Sequence, residues 1–240
     1  KRDDGAALGY YEEAGYLPAA VRNYLCLLGW SPGANEEILS IEEIVRRFDL
    51  KDLNRSNARF DGAKLFWING EYWRAMKDDE FAKFAETSLS KSRPAVAALP
   101  ADFRNGLLGV IREKIRTGKE LAEWLDPYLT EDYLYSEEAR KKQFSNPEAG
   151  KWLTALEKGF SSTEEPLSEL AAEVVCKKVA EEAGLPKPAK VIHLLRSAVS
   201  GHTVGPSLFH LLVVLGKTKV VARLMRTRIL WEEGKLGGSA

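Results

Sequence analysis

Residues 185–231 read LPKPAKVIHLLRSAVSGHTVGPSLFHLLVVLGKTKVVARLMRTRILW and decide the fold class and the charge distribution of this chain. This acid-free stretch contains no Asp or Glu, whereas 35 acidic residues among 240 would place about seven in a window of its length. Because the formal net charge of the whole chain is zero, positive charge is concentrated at one end. Such an asymmetry is typical of a surface that binds a polyanion. The cations of the stretch are Lys187, Lys190, Arg196, Lys217, Lys219, Arg223, Arg226 and Arg228.

The spacing of apolar residues predicts three helices in the acid-free stretch. They run from about Pro188 to Gly201, from Pro206 to Gly216, and onward from about Lys217. The residues predicted to face outward are His193, Arg196, Ser197 and Ser200 on the first helix, and Lys219, Arg223 and Arg226 on the third. A solvated basic face on an ordinary helical domain would explain any one of these helices. Three consecutive helices without an acidic residue favour a binding surface.

Length and composition exclude several classes of protein. A chain of 240 residues allows one large domain or two to three small ones. No apolar run approaches the ~18 residues of a membrane span, so no membrane partner is predicted. Cys26 and Cys176 stand alone in apolar surroundings, which indicates buried thiols in a reducing compartment, while a disulfide between them stays open. No Cys or His pair has metal-ligand spacing, so no metal site is predicted. The chain starts at Lys1 rather than Met, and we expect a piece of a longer protein.

Residues 1–184 also follow helical spacing, with clear signals for where helices begin. Pro18 begins a helix that ends at Gly29, Ser40 and Glu43 form a capping box, and Asp61 is a predicted N-cap. Further helices are predicted at about 103–115 and 163–183, the latter with Leu170, Val174, Val175 and Val179 as its core face. No segment alternates at period two, so the predicted fold is mainly α.

Five blocks of sequence occur in a specific order. They are Lys1-Arg2 before an Asp/Gly-rich turn, GYLPAAVRNYLCLLGW at 15–30, RFDGAKLFWINGEY at 59–72, TEDY at 130–133, and LLRSAVSG with VGPSLFHLLVVLG at 194–216. Together they resemble the C-terminal half of a bacterial-type glutamyl-tRNA synthetase, with Lys1-Arg2 resembling the tail of the class I ATP loop. Each block alone is weak, but the combination is specific and covers essentially the full chain.

The resemblance implies an architecture and an activity. It implies a stem-contact domain at 1–77 with the tail of the ATP loop, then a two-part all-helical anticodon-binding cage at 78–136 and 137–240. The whole enzyme would be a cytoplasmic, monomeric glutamate–tRNA ligase that uses ATP with Mg to attach glutamate to tRNA for protein synthesis. No cofactor is expected in this chain, because ATP would bind a Rossmann domain that it lacks. Lys1 would match a catalytic lysine of the ATP loop, but alone it cannot organise the reaction, so we predict no aminoacylation by this chain.

The resemblance also implies which residues contact tRNA. Arg196 matches an arginine that contacts anticodon bases, and Gly205, Pro206 and Leu208 match a turn and helix start that face the anticodon loop. Without the resemblance, helix initiation and core packing explain Pro206 and Leu208 equally well. The predicted contacts to the tRNA backbone are Lys217, Lys219, Arg223, Arg226, Arg112 and Arg116.

Lys114 departs from the pattern of the family. Members that accept only glutamate tRNA tend to carry at this place an Arg that reads the third anticodon base. Lys cannot form the two parallel hydrogen bonds of a guanidinium, so the expected partner is glutamate tRNA, with glutamine tRNA left open. Arg112 and Arg116 are neighbours that could take over this contact.

A protein of another class would explain part of the pattern. A free-standing helical interaction protein, whose basic end docks on an acidic partner, accounts for the charge asymmetry equally well. It does not account for the order of the five blocks. Among synthetases, the absence of strand patterns disfavours a glutamine-specific relative, whose bacterial anticodon domains are β-barrels, and a class I lysyl enzyme with a helical cage is more distant.

Overall fold

The computed structural model describes residues 8–33, 36–54 and 58–237, without the side chains of Ser90 and Lys91. Its helices are α1 (Leu8–Glu13), α2 (Pro18–Gly29), α3 (Ile41–Arg47), α4 (Gly62–Ala75), α5 (Asp78–Ser92), α6 (Ala101–Arg112), α7 (Gly118–Leu129), α8 (Glu137–Ala139), α9 (Ala149–Ser161), α10 (Glu169–Glu182), α11 (Ala189–Ser200) and α12 (Leu208–Glu232). Single 3₁₀ turns lie at Leu50–Asp52 and Pro94–Val96, and α8 continues as a π-helical turn at Arg140–Phe144. Within the described ranges the β-pairing is one isolated antiparallel bridge between Trp30 and Leu53. The predicted mainly α fold is therefore confirmed.

The chain divides into two compact units. Unit N comprises the described part of residues 1–97 together with 112–123, and unit C comprises 98–111 together with the described part of 124–240. Helices α6 and α7 each contribute residues to both units. The division into domains at 1–77, 78–136 and 137–240 stays a prediction.

Unit N is built around helices α2 and α4. Asp61 and Ser40 cap helices as predicted, since the Asp61 carboxylate accepts from Lys64 N at 3.0 Å and the Ser40 hydroxyl accepts from Glu43 N at 3.2 Å. The amide of Asn69, fully buried, accepts from Leu17 N at 2.8 Å and donates to Arg116 O. The buried side chains around these helices include Ala20, Tyr24, Leu65, Ile68 and Trp73. A buried amide costs free energy unless it is hydrogen-bonded, so the two bonds of Asn69 fix three segments of the unit together.

Unit C packs helix α9 against helix α12. The Trp231 indole donates to Phe144 O at 2.8 Å, and its ring occupies the space that a Cβ on Gly150 would need. The apolar core of the unit includes Phe144, Leu153, Leu156, Phe160, Leu194, Leu195, Leu211, Leu212, Val220 and Leu224. The acid-free stretch therefore supplies much of the core of unit C, as its apolar spacing predicts.

Helix α10 differs from the prediction in its start and in its core face. It begins at Glu169 rather than near Thr163, because the Ser168 hydroxyl caps it by accepting from Ala171 N at 3.1 Å. The buried face consists of Ala172, Val175, Cys176, Val179 and Ala180, whereas Leu170 and Val174 are 70% and 53% exposed. The predicted core face therefore combines residues from a buried and an exposed face of the helix. Small residues, Ala172 and Cys176, complete the buried face and carry a weaker signal than the exposed Leu and Val.

The ends of the last two helices are close to their predicted places. Helix α11 ends at Ser200, and Gly201, with φ of +75°, follows as its C-cap, close to the predicted end. Helix α12 starts at Leu208 instead of Pro206, and the predicted break at Gly216 is confirmed by its φ of +74° within α12. Helix α6 ends at Arg112 rather than at Ile115.

Both cysteines are free, which excludes the disulfide. Burial raises the pKa of Cys176 to about 12, while Cys26 is only half-buried. Among the helices described here, none combines the length and apolar character that crossing a bilayer requires. The described residues contain no group of three or more His, Cys, Asp or Glu side chains arranged to hold a metal ion.

Candidate nucleic-acid interface

One face of helix α11 carries cations and no acidic residue. Lys190 and His193 are exposed and Arg196 is half-buried, and their spacing of three residues places them on the same side of the helix. Lys187, just before the helix, is exposed as well. None of Lys187, Lys190 and Arg196 forms an ion pair with any residue that the structure describes. This face is therefore positive in space as well as in sequence.

Arg196 is held by the backbone of the turn that follows α11. Its Nη1 donates to Pro206 O at 2.7 Å, and a Cβ on Gly205 would lie 3.1 Å from the same nitrogen. Burial lowers the pKa of the Arg196 guanidinium, and the nearby Tyr128 phenol opposes that shift. Arginine nevertheless keeps its charge at neutral pH. Arg196 has no carboxylate partner among the described residues. Its remaining hydrogen-bond donors are therefore available to an acceptor from outside the protein.

Two buried serines attach this turn to α11. The Ser200 hydroxyl donates to Arg196 O at 2.8 Å and accepts from His202 N at 3.2 Å, while the Ser197 hydroxyl donates to His202 O at 3.3 Å. The prediction that Ser197 and Ser200 face outward is wrong. Both side chains point into unit C, where the backbone of the turn satisfies their hydroxyls.

Leu208 also differs from its predicted place. Its side chain is 3% exposed, because the first turn of α12 packs its apolar side into the core of unit C. This burial contradicts the prediction that the Leu208 side chain faces an RNA loop. Pro206 is buried, and Gly205 is half-buried beside Arg196. A contact of Gly205 or Pro206 with RNA stays a prediction.

The prediction that Arg223 faces outward is wrong, and its burial argues against the predicted contact with the tRNA backbone. Its side chain is 1% exposed and donates from Nη1 to Val199 O at 2.7 Å and from Nη2 to Thr130 O at 3.3 Å. Its Nε lies 3.5 Å from a Glu131 carboxylate oxygen. Arg223 does not face solvent because residues 130–136, called here the crossing segment, cover this side of α12.

The other cations of α12 have partners as well. Lys219 is half-exposed, 3.7 Å from the Glu131 carboxylate and 4.7 Å from the centroid of the Phe103 ring. Arg226 pairs with Asp132, and Lys217 donates to Thr163 O at 2.8 Å. Contacts of these three cations with the tRNA backbone would compete with their existing interactions within the protein. Arg228 likewise pairs with Glu157 at 2.9 Å and with Glu232.

The acidic partners come from outside the acid-free stretch. Glu131 and Asp132 belong to the crossing segment and Glu157 to α9, so α12 is largely neutralised by residues distant in sequence. The TEDY block contains both Glu131 and Asp132, and it was the one available signal for this pairing. The reading of the chain as a protein that docks on an acidic partner loses its main support, because the helix richest in cations is already paired.

In unit N, one of the cations predicted to contact RNA, Arg112, also has partners within the protein. Arg112 donates to Trp73 O at 3.1 Å, to Arg74 O at 3.2 Å and to Asp78 at 2.7 Å, so a contact with the tRNA backbone would compete with these bonds and stays a prediction.

Two further cations of this region remain less engaged. The Arg116 guanidinium lies 5.3 Å from the centroid of the Phe66 ring. Lys114 is exposed and forms no ion pair with the described residues. Lys1 lies outside the described residues.

Comparisons with known proteins show what this chain is similar to. Residues 73–228 match the family described as "Anticodon binding domain", and residues 1–67 match "tRNA synthetases class I (E and Q), catalytic domain". The glutamate–tRNA ligase of Methylacidiphilum infernorum is 44% identical over 228 residues, covering 94% of this chain and 50% of that protein. The glutamate–tRNA ligase of Moorella thermoacetica is 33% identical over 229 residues, covering 94% and 46%.

A solved structure supports the same similarity. The crystal structure of a glutamate tRNA ligase from Elizabethkingia meningosepticum, in complex with its amino acid, has a TM-score of 0.75 and 26% identity to this chain. The match covers 92% of this chain and 43% of that protein. The chain thus spans about half the length of the curated relatives it matches.

Proposed function

This chain belongs to the anticodon-binding-domain family, and from that membership we propose that unit C recognises the anticodon loop of a tRNA. The contacts would come from helix α11 and from the turn at residues 202–206. The observation that carries this proposal is the half-buried Arg196, whose guanidinium bonds to Pro206 O and pairs with no carboxylate among the described residues.

An unstacked RNA loop offers what Arg196 lacks. Bases splayed out of a loop expose carbonyl oxygens and ring nitrogens on their edges, and a guanidinium can donate to two such acceptors at once. The Pro206 bond holds the guanidinium in one orientation before RNA arrives, which reduces the entropy lost on binding. Arg196 would therefore read bases rather than simply attract phosphates.

The tRNA backbone would be bound along the same helix. Lys187 and Lys190 are exposed, lie on or next to α11, and have no ion pair within the described residues. They replace Arg223 as candidates for phosphate contacts, since a buried and bonded guanidinium cannot reach a phosphate. Phosphate contacts position a nucleic acid, and base contacts specify its sequence.

The whole protein would be a glutamate–tRNA ligase of class I. Its relatives of that name are about twice as long as this chain, so ATP with Mg and glutamate would bind in the remaining half, with Lys1 at the edge of the ATP loop. No cofactor is proposed for the 240-residue chain, which we expect to be inactive alone. Two free thiols fit a cytoplasmic protein, and we propose that it acts there as a monomer.

The selectivity of the protein for tRNA would depend on Lys114. Because Arg112 is engaged with Trp73 O, Arg74 O and Asp78, it would have to give up these bonds to replace Lys114 as a reader of the third anticodon base. An ammonium group distinguishes bases less well than a guanidinium. We therefore propose glutamate tRNA as the partner, with glutamine tRNA bound as well.

A binding experiment tests the central proposal. Fluorescence anisotropy would measure the affinity of the 240-residue chain for an RNA stem-loop that carries the anticodon loop of glutamate tRNA, and for the same stem with its anticodon bases replaced. Arg196→Ala should weaken binding of the first RNA by about 1–3 kcal/mol and leave the second nearly unchanged. Arg46→Ala removes an exposed arginine of α3 and serves as the matched control. Equal affinity of wild type and Arg196→Ala for the first RNA would refute the proposal.

A further inference from the structure

Two carbonyl groups at the carboxyl end of helix α11 are hydrogen-bonded by side chains from other parts of unit C. Carbonyls in the last turn of a helix have no partner within the helix. Here Ala198 O accepts from the Tyr133 hydroxyl and from the Thr227 hydroxyl at 3.0 Å, and Val199 O accepts from Arg223 at 2.7 Å. The buried Arg223 cation also lies at the negative end of the helix dipole. The end of α11 is therefore fixed by side chains of the crossing segment and of α12.

The crossing segment lies directly against this helix end. Ser136 N donates to Gly201 O at 2.8 Å, and a Cβ at position 201 would overlap the carbonyl oxygen of Leu134. The centroid of the Tyr133 ring lies 4.5 Å from the Arg223 guanidinium and 4.8 Å from the Arg226 guanidinium. Burial raises the pKa of Tyr133, so its hydroxyl remains a donor. These contacts determine where α11 ends and the following turn begins.

The same helix end connects to Arg196 through the two serines. Ser200 bonds both to Arg196 O and to His202 N, and Ser197 bonds to His202 O. The turn they hold places Pro206 O within 2.7 Å of the Arg196 guanidinium. Because no described carboxylate orients that guanidinium, its direction depends on the position of Pro206 O.

We propose that Ser200 and Tyr133 are positioning residues for Arg196, and that they set the affinity for the RNA loop without touching it. This inference rests on the proposed function. The Ser200 hydroxyl fixes the turn that carries Pro206, and the Tyr133 hydroxyl fixes the helix end from which the turn starts. A recognition side chain that moves by about 1 Å loses its paired hydrogen bonds to a base. Buried hydroxyls that appear purely structural thus control a surface contact.

Two variants remove the hydroxyls with little change of shape. Ser200→Ala deletes the hydroxyl, and Tyr133→Phe keeps the ring beside Arg223 and Arg226 while removing the donor to Ala198 O. Ser161→Ala is the matched control, because the Ser161 hydroxyl makes the same kind of bond within a helix, to Glu157 O at 2.7 Å, and is exposed. Both test variants leave all cations in place, so the salt dependence of RNA binding should not change.

A double-mutant cycle with the 240-residue chain decides between positioning and general stabilisation. Ser200→Ala and Tyr133→Phe should each weaken binding of the glutamate anticodon stem-loop by about fivefold, which corresponds to about one hydrogen bond. In the Arg196→Ala background the same changes should have no further effect on binding. Ser161→Ala should bind like wild type in both backgrounds. Melting temperatures measured alongside would confirm that all variants are folded at the temperature of the assay.

Each outcome of the cycle is informative. If Ser200→Ala and Tyr133→Phe weaken binding equally with and without Arg196, they do not act through it and the inference is overturned. The inference also fails if Arg196→Ala weakens binding while both hydroxyl variants bind like wild type, and the proposed function then stands. If Arg196→Ala itself has no effect, the proposed function fails, and the inference fails with it. If one variant does not fold, the other completes the cycle.

Discussion

Helix α11 contains no acidic residue, and helix α12 contains none before Glu232. The cations of the two helices nevertheless have different surroundings. On α11, Lys190 and Arg196 have no carboxylate partner among the described residues. On α12, Arg223 and Arg226 are tied to the crossing segment through Glu131 and Asp132. A run of cations in sequence therefore does not by itself indicate a free basic surface. What decides is whether another segment of the chain supplies acids and carbonyls to the same face.

The difference follows from burial. A buried guanidinium must be hydrogen-bonded, or it destabilises the fold, and Arg223 has two carbonyls, a carboxylate and two nearby aromatic rings around it. Arg196 keeps part of its surface in water and needs fewer partners. One arginine stabilises unit C, while the other is available to a ligand. Mutations at the two sites should separate stability from binding.

The largest effect is expected for Arg223. Arg223→Ala leaves Val199 O and Thr130 O without their donors and opens a cavity, so the free energy of unfolding should fall by about 3 kcal/mol. Lys219→Ala, which removes a half-exposed cation on the same helix, should cost less than about 1 kcal/mol. Urea denaturation followed by circular dichroism measures both. Equal midpoints for the two variants would remove the distinction between the buried and the exposed cations of α12.

The next effect is expected for Arg196→Lys. Lysine keeps the positive charge but cannot donate two parallel hydrogen bonds to a base, so affinity for the glutamate anticodon stem-loop should fall by about 1 kcal/mol or more. The urea midpoint should stay at the wild-type value. Arg223→Ala, in contrast, is expected to lower the urea midpoint. If Arg196→Lys binds like wild type, charge alone matters at this site and base reading is excluded.

A smaller effect is expected for Gly205→Ala. The added Cβ would lie 3.1 Å from Arg196 Nη1, so the end of this side chain must shift by a few tenths of an ångström. The cost in RNA affinity should be lower than the ~1–3 kcal/mol of an overpacked core, because the group that moves is flexible. Anisotropy titration measures the change, with Gly109→Ala as control, since a Cβ there meets nothing within 4 Å. A loss as large as that of Arg196→Ala would contradict this expectation, because it would mean that the side chain of Arg196 cannot adjust to the added Cβ.

The smallest effect is expected for Lys190→Ala. If Lys190 neutralises one phosphate, the slope of log K against log salt should fall by about 0.7–0.9. Both the cognate stem-loop and its base-replaced version should weaken equally. Lys158→Ala removes an exposed lysine from α9 and should leave the slope unchanged. An unchanged slope for Lys190→Ala would place the RNA backbone elsewhere.

Local sequence signals predicted the helices well, because their causes are local. Gly201 and Gly216 adopt positive φ and interrupt helices as expected, and Ser40 and Asp61 cap helices through bonds to residues three positions away. Such features depend on a few neighbouring residues. The predictions that failed depend on contacts between distant segments.

The candidate site illustrates those failures. Periodicity places Arg223 on a face of an isolated helix, but it cannot tell that the crossing segment covers that face. Helical spacing places Ser197 and Ser200 opposite the apolar face of α11, but it cannot show that the backbone of the following turn satisfies their buried hydroxyls. The resemblance places Leu208 on the loop-facing side, whereas its apolar side chain is 3% exposed and packs into the core of unit C.

The hydrogen bond from Ser136 N to Gly201 O can be followed by hydrogen exchange. A backbone proton in that bond exchanges with deuterated solvent only when the crossing segment separates from the end of α11. The rate of deuterium uptake at Ser136 therefore measures how often the crossing segment separates from the helix end that carries the turn at residues 202–206. Bound RNA should slow this uptake, although the Ser136 amide does not contact the RNA.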